Sequence, residues 1–200
     1  MFSMMRVMSV ISLAALLLVG CDRSGESKVP ATSETQQSAA ANTTPQASAT
    51  LPVVRLADLK QMISEAKEKN QVLVIDFWAT WCIPCVEMFP ELHDKIPAMG
   101  PNVRLVSVTI DSPGKYEALA VEFLKKHDAL KDAYRIAEGE NDAPLVEVIQ
   151  GLGKQWQDMV VPVILVFGPD GELKDEFLEA RAKPEVIVPR VREIVASSQR

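Results

Sequence analysis

Alternating helical and strand-like segments predict an α/β fold, a mixed central β-sheet flanked by helices on both faces. Three observations carry that prediction. Apolar runs at residues 72–78, 103–110 and 160–167 have the length of buried strands. Amphipathic segments of helical period stand between them. After the last run comes Gly168-Pro169-Asp170-Gly171, a turn signal, then another short strand pattern, which makes a terminal hairpin.

The elements follow in order. Leu56, Leu59, Met62, Ile63 and Ala66 recur at helical spacing. Val72–Trp78 is apolar except for Asp76 and reads as a buried strand. A helix follows Cys82 and runs to about Ile96. Residues 103–110 form a second buried strand. Residues 116–127 are amphipathic, with Leu119, Phe123 and Leu124 on one face, and 134–137 suit a short strand. The stretch NDAPLVEVIQGLG has Asn141 or Asp142 as a cap and Gly151 or Gly153 as a stop, so it reads as a helix. Residues 160–167 form a third buried strand. In residues 172–178, Leu173, Asp175 and Phe177 share a face. A last helix spans about 184–197, where Pro189 should kink it or move its start later.

The N-terminal region has a different texture. Arg6 precedes a fourteen-residue apolar run, VMSVISLAALLLVG. A spanning helix needs roughly 20 residues, so the run suits a secretory signal instead. It ends in Leu18-Val19-Gly20-Cys21, which resembles a bacterial lipobox. That resemblance implies cleavage before Cys21 and acylation of Cys21, palmitate among the acyl groups. Several acyl chains, at about 0.8 kcal/mol per buried CH₂, hold a protein stably on a lipid bilayer. Asp22 follows, and in enterobacterial-type lipoproteins an aspartate there favours retention at the inner membrane. Residues 22–52 are rich in Ser, Thr, Ala, Gln and Pro and lack a core-forming pattern. As a flexible tether they would span roughly 30 Å. The expected organisation is a signal peptide at 1–20, a lipidated N-terminus and linker at 21–52, and one domain at 53–200.

Charge and cysteine usage narrow the function. The net charge is -6, and loss of residues 1–20 leaves 20 basic against 27 acidic groups. Such a balance gives no reason to expect nucleic acid as a partner. With Cys21 lipidated, only Cys82 and Cys85 remain, so no separate disulfide framework is expected. The pair stands where the strand Val72–Trp78 gives way to a helix. A helix start exposes N–H groups and the positive end of the dipole, and both favour a thiolate. Spacing i, i+3 brings both sulfurs to one face. Pro84 lies in the first turn, where its missing N–H costs little. Cys82, at the tip, should attack, and Cys85 should resolve the mixed disulfide. Structural zinc wants four ligands, and the domain adds only His93 and His127. His93 lies roughly 12 Å along the helix axis from Cys85, and both histidines read as ordinary helix-face residues. No metal and no cofactor beyond the redox-active Cys82–Cys85 disulfide is expected.

The stretch VIDFWATWCIPCVEMFPEL resembles the thioredoxin superfamily, particularly the membrane-anchored bacterial thiol–disulfide oxidoreductases of TlpA and ResA type. The matching residues are Asp76-Phe77-Trp78-Ala79, Trp81-Cys82, Pro84-Cys85, Pro90 and Val161-Pro162. The resemblance implies a thioredoxin-like fold with four or five strands. It implies that Asp76 is a buried acid beneath the site, able to take a proton from Cys85. It implies that Trp81 shapes the docking surface and Pro90 the helix. It makes Pro162 a cis proline facing the disulfide, with the Val161 backbone offered to an extended substrate. Two departures concern the substrate-facing surface: Val163 stands where threonine is usual, and KQWQDMVVP lacks a common glycine. Trp156 is a candidate for that surface. Residues 128–157 are longer than a minimal thioredoxin needs.

These readings converge on a thiol–disulfide oxidoreductase, lipid-anchored on the periplasmic side of a cell membrane. Its expected partners are disulfides of exported proteins, reduced with electrons from a membrane thiol donor. A thiol oxidase of the same fold is the nearest alternative. A copper-handling thiolate module and a non-catalytic scaffold are the others. Only Met88 lies close to the pair as an extra soft ligand, and intact cysteines argue against a scaffold.

Overall fold

The computed structural model of the chain describes residues 50–137, 150–152 and 161–198. Its strands are β1 (Val53–Val54), β2 (Val72–Trp78), β3 (Val103–Thr109), β4 (Ala133–Ile136), β5 (Val163–Phe167) and β6 (Leu173–Leu178). Its helices are α1 (Leu56–Glu68), α2 (Ile83–Lys95), α3 (Lys115–Lys126) and α4 (Pro184–Ser198). The strands form one sheet in the order β1-β4-β3-β2-β5-β6. Pairing is parallel from β1 to β2 and antiparallel across β2–β5 and β5–β6. The expected mixed α/β sheet is therefore present, with six strands where four or five were expected. Among the described residues, no helix is long and apolar enough to cross a membrane.

β2 lies between β3 and β5, and all seven of its residues are buried. Its side chains alternate between two cores, as a period of two requires. Leu73, Ile75 and Phe77 pack with α1 and α3. Val72 and Val74 pack with Leu92 of α2 and with α4. A slip of one residue would exchange the two sets and carry Asp76 into the α1–α3 core, so the register is strongly specified. A fully buried Val, Leu, Ile or Phe contributes about 1.5–3 kcal/mol relative to exposure, which is what such a slip puts at risk.

Several local expectations need correction. The buried stripe of α3 is Glu117, Ala120, Val121 and Leu124, while Leu119 is exposed. In β6 a register irregularity opposite Val166 and Phe167 changes the parity of the strand. Phe177 therefore joins the α2–α4 core, whereas Leu173 packs on the α1–α3 side. Pro189 lies inside α4 and does not move its start. It stands early in the helix, where one lost hydrogen bond is tolerable once Ile187, Val188 and Val191 are buried. The third apolar run is strand only from Val163. Leu51 is buried and donates its N–H to Glu117 Oε1 at 2.9 Å. Pro52 and Val54 then accept from Arg135 and Ala137, which adds β1 as an edge strand. The 168–171 turn is as expected, with Gly171 at φ +79, a conformation that favours glycine. The signal segment, Cys21, Asp22, Trp156 and all but residues 150–152 of the predicted fourth helix lie outside the described residues.

Candidate active site

β2 delivers the chain to a four-residue loop, 79–82, and α2 starts immediately after it. The loop is clipped to the end of β3 by one carboxylate. Asp111 accepts from the Thr80 N–H at 2.9 Å, from Thr80 Oγ1 at 2.8 Å and from Thr109 Oγ1 at 2.7 Å. The loop also closes on itself, the Cys82 N–H donating to Ala79 O at 3.1 Å. These bonds fix where α2 begins. Cys82 is its N-cap, and Pro84 lies in the first turn as expected. Trp78 is core, its ring packed against Phe89 and Phe123 at centroid distances of 4.9 and 5.1 Å.

Cys82 and Cys85 form a disulfide with a Cα–Cα separation of 5.3 Å. Cys82 Sγ accepts the Cys85 N–H at 3.3 Å. When the bond is reduced, that N–H and the helix dipole face a Cys82 thiolate and favour it. Val161 O lies 3.5 Å from the same sulfur, and the Val161–Pro162 peptide bond is cis. Both cysteines are largely buried, Cys82 at 4% exposure and Cys85 at 1%. Around them the surface is apolar and open: Trp81 is 56% exposed and Ile83 71%. Beside the pair runs a groove of about 620 Å³. Buried Met88, Val161 and Pro162 line it, and exposed Glu87, Glu91 and Glu179 stand at its edge.

Asp76 is 1% exposed on β2. Its β3 partner is Ser107, whose hydroxyl oxygen accepts Trp78 Nε1–H at 2.7 Å. Cross-strand partners share a face, so Asp76, Ser107 and Trp78 point the same way. That is the face covered by α2. There, His93 Nε2 stands 3.7 Å from Asp76 Oδ2. Among the described residues neither carboxylate oxygen accepts a hydrogen bond. His93 is not the plain helix-face residue the spacing suggested. Its side chain is 11% exposed and its ring stacks on Phe89 at 3.7 Å. The sequence carried a signal for this, since Cys85, Phe89 and His93 recur every four residues along one side of a helix. Nothing local signalled Asp111, whose partner Thr80 is 31 residues away. His127 packs on Phe123 at 4.6 Å, and its pKa is lowered by burial first, then by Lys126 and His93. Among the described residues no group of three or more His, Cys, Asp or Glu is placed to hold a metal ion.

A thioredoxin-like family model matches residues 70–173, just over half of the chain. The thioredoxin of Bacillus subtilis strain 168 is 32% identical over 63 residues, covering 30% of this chain and 61% of that protein. The thioredoxin-like protein YneN of the same organism is 24% identical over 131 residues, covering 66% and 69%. A solved thiol:disulfide interchange protein from Chlorobium tepidum TLS superposes with a TM-score of 0.49 at 14% identity, covering 66% of this chain and 83% of that one. The chain spans 42% to 64% of the length of four curated thioredoxins that it matches. By the match over residues 70–173, with the Cys82–Cys85 disulfide inside it, the chain belongs to the thioredoxin-like family.

Proposed function

We propose that the chain is a thiol–disulfide oxidoreductase, lipid-anchored through Cys21 on the periplasmic side of a cell membrane, that reduces disulfides of exported proteins. The observation that carries the proposal is the Cys82–Cys85 disulfide at the start of α2, with the Val161 carbonyl against Cys82 and an open groove alongside. In the reduced state the Cys82 thiolate attacks one sulfur of a substrate disulfide. The substrate S–S bond breaks, one substrate sulfur leaves as a thiolate and takes a proton from water, and a mixed disulfide forms. The Cys85 thiol then gives its proton to Asp76 and attacks Cys82 Sγ. The second substrate sulfur leaves and is protonated, and the protein holds the Cys82–Cys85 disulfide. Two electrons have passed to the substrate, and a membrane thiol donor restores the dithiol. Trp81, Val161 and Pro162 are the surfaces the substrate segment meets. Run backwards, the same steps make an oxidase, so the reduction potential of the pair decides direction.

The test is trapping. Cys85→Ser, mixed with a disulfide-bonded peptide or an extract of exported proteins, should accumulate mixed disulfides through Cys82. Cys82→Ser should accumulate few. Equal trapping by both variants would sink the division of roles, and trapping by neither would sink the activity. The anchor has its own test. Cys21→Ala should leave the membrane fraction without loss of disulfide turnover in solution. A variant that still sediments with membranes after a salt wash would contradict the anchor.

A further inference from the structure

Four buried polar side-chain atoms lack a hydrogen-bond partner among the described residues, and three of them meet in one place. They are Oδ1 and Oδ2 of Asp76 and Nε2 of His93. At 3.7 Å the carboxylate and the ring are at ion-pair distance, longer than a hydrogen bond. Catalytic contacts of this length in a resting state commonly tighten during the reaction. Unpartnered buried polar atoms cost folding free energy, so a pair of them facing each other needs a reason. His93 also lines a cavity of about 780 Å³. Across that cavity Arg104 is held by Asp132 at 2.7 Å and faces Glu65 at 3.6 Å, while Lys69, Asp128 and Lys131 add charge to the wall. His127 is the other titratable ring near His93. The wall is polar enough to hold solvent. His93 thus has a sealed acid on one side and a polar cavity on the other.

We propose that His93 is a positioning residue for Asp76 and the exit for its proton. The inference rests on the thiol–disulfide reading above. When Cys85 attacks, its thiol proton passes to an Asp76 oxygen. Asp76 gives a proton to His93 Nε2, which makes an imidazolium beside a restored carboxylate. The imidazolium releases a proton to water in the cavity. One proton enters the pair, one leaves, and no electron moves through it. The exit is separate from the groove where the substrate lies, so a bound substrate does not block it. The ring facing Asp76 at 3.7 Å also limits rotation of the carboxyl group and so positions it for the attacking thiol. The stack on Phe89 holds the ring in place for both tasks.

The test uses the full chain and a disulfide-bonded peptide, with resolution of the mixed disulfide followed by rapid acid quench over roughly pH 6–9. His93→Phe keeps the ring stack and removes both nitrogens. His93→Gln keeps a polar end that cannot carry a proton. Both should slow resolution about tenfold, below the usual general-base range because water still substitutes. Formation of the mixed disulfide should be unchanged. The double variant Asp76→Asn/His93→Gln should be no slower than Asp76→Asn alone, since both remove one route. The wild-type profile should carry an inflection that both His93 variants lose and His127→Gln keeps. His93 variants within about twofold of wild type at every pH, or additive losses in the double variant, would overturn the proposal. A wild type that forms no mixed disulfide at all would overturn the exchange reading, and this inference with it.

Discussion

Asp76 and Asp111 are each 1% exposed, Asp76 within β2 and Asp111 two residues beyond the end of the neighbouring β3. Their surroundings are opposite. Asp111 accepts from a backbone N–H and two hydroxyls within 2.9 Å. Among the described residues Asp76 accepts no hydrogen bond, and it faces one ring at 3.7 Å. A buried carboxylate supplied with donors is stable where it stands, and charge-assisted bonds of this kind are the strong ones. A buried carboxylate without donors costs folding free energy. The first kind holds a loop, and the second kind suits the proton transfer proposed for Asp76. Residue type and burial do not separate them, and the hydrogen-bond partners do.

The comparison breaks most directly at Asp111. Removing this side chain leaves the Thr80 N–H and two hydroxyls without their acceptor, at about 1–3 kcal/mol for each buried donor that finds no substitute. Asp111→Ala should therefore lower unfolding stability by about 3 kcal/mol, read from denaturant melts. A loss under about 1 kcal/mol would show that water replaces the clip, and the architectural role would fall.

A smaller effect sharpens the α2 side. The pKa of His127 is lowered in the folded protein, by burial first, then by Lys126 and His93. Protonation therefore favours the unfolded chain. The contribution to stability is complete above the unfolded histidine value, about 6.5, and is lost as pH falls through the lowered folded value. His127→Gln should remove that part of the acid-side slope, with melts above pH 7 little changed. An identical slope in wild type and variant below about pH 6.5 would show that His127 does not titrate as placed.

The parts of the site legible in sequence were those carried by local pattern. Val72–Trp78 read as a buried strand because apolar residues ran unbroken around Asp76. Cys82, Pro84 and Cys85 marked the helix start, and the resemblance placed Asp76 and the cis Pro162. The illegible parts depend on distance or on lost periodicity. A two-residue strand such as β1 has no period to read. The irregularity in β6 reversed the parity on which Leu173 was placed. The clip from Asp111 to Thr80 joins residues that no local window contains. His93 fell between these cases. Its spacing from Cys85 and Phe89 was visible, but its partner lies on a strand that only the fold brings beneath α2.

The most direct measurement is turnover of a model disulfide beside thermal melts, for wild type and Asp76→Asn, across roughly pH 6–9. The Asp76 carboxylate accepts no hydrogen bond among the described residues, so an amide in its place should leave the variant melting at or above the wild-type temperature. In the proposed exchange Asp76 accepts the Cys85 proton, so resolution should slow about 10²-fold, the low end for lost general-base help. A variant with unchanged turnover at every pH, or one that melts well below wild type, would make Asp76 a structural acid like Asp111 and remove it from the mechanism.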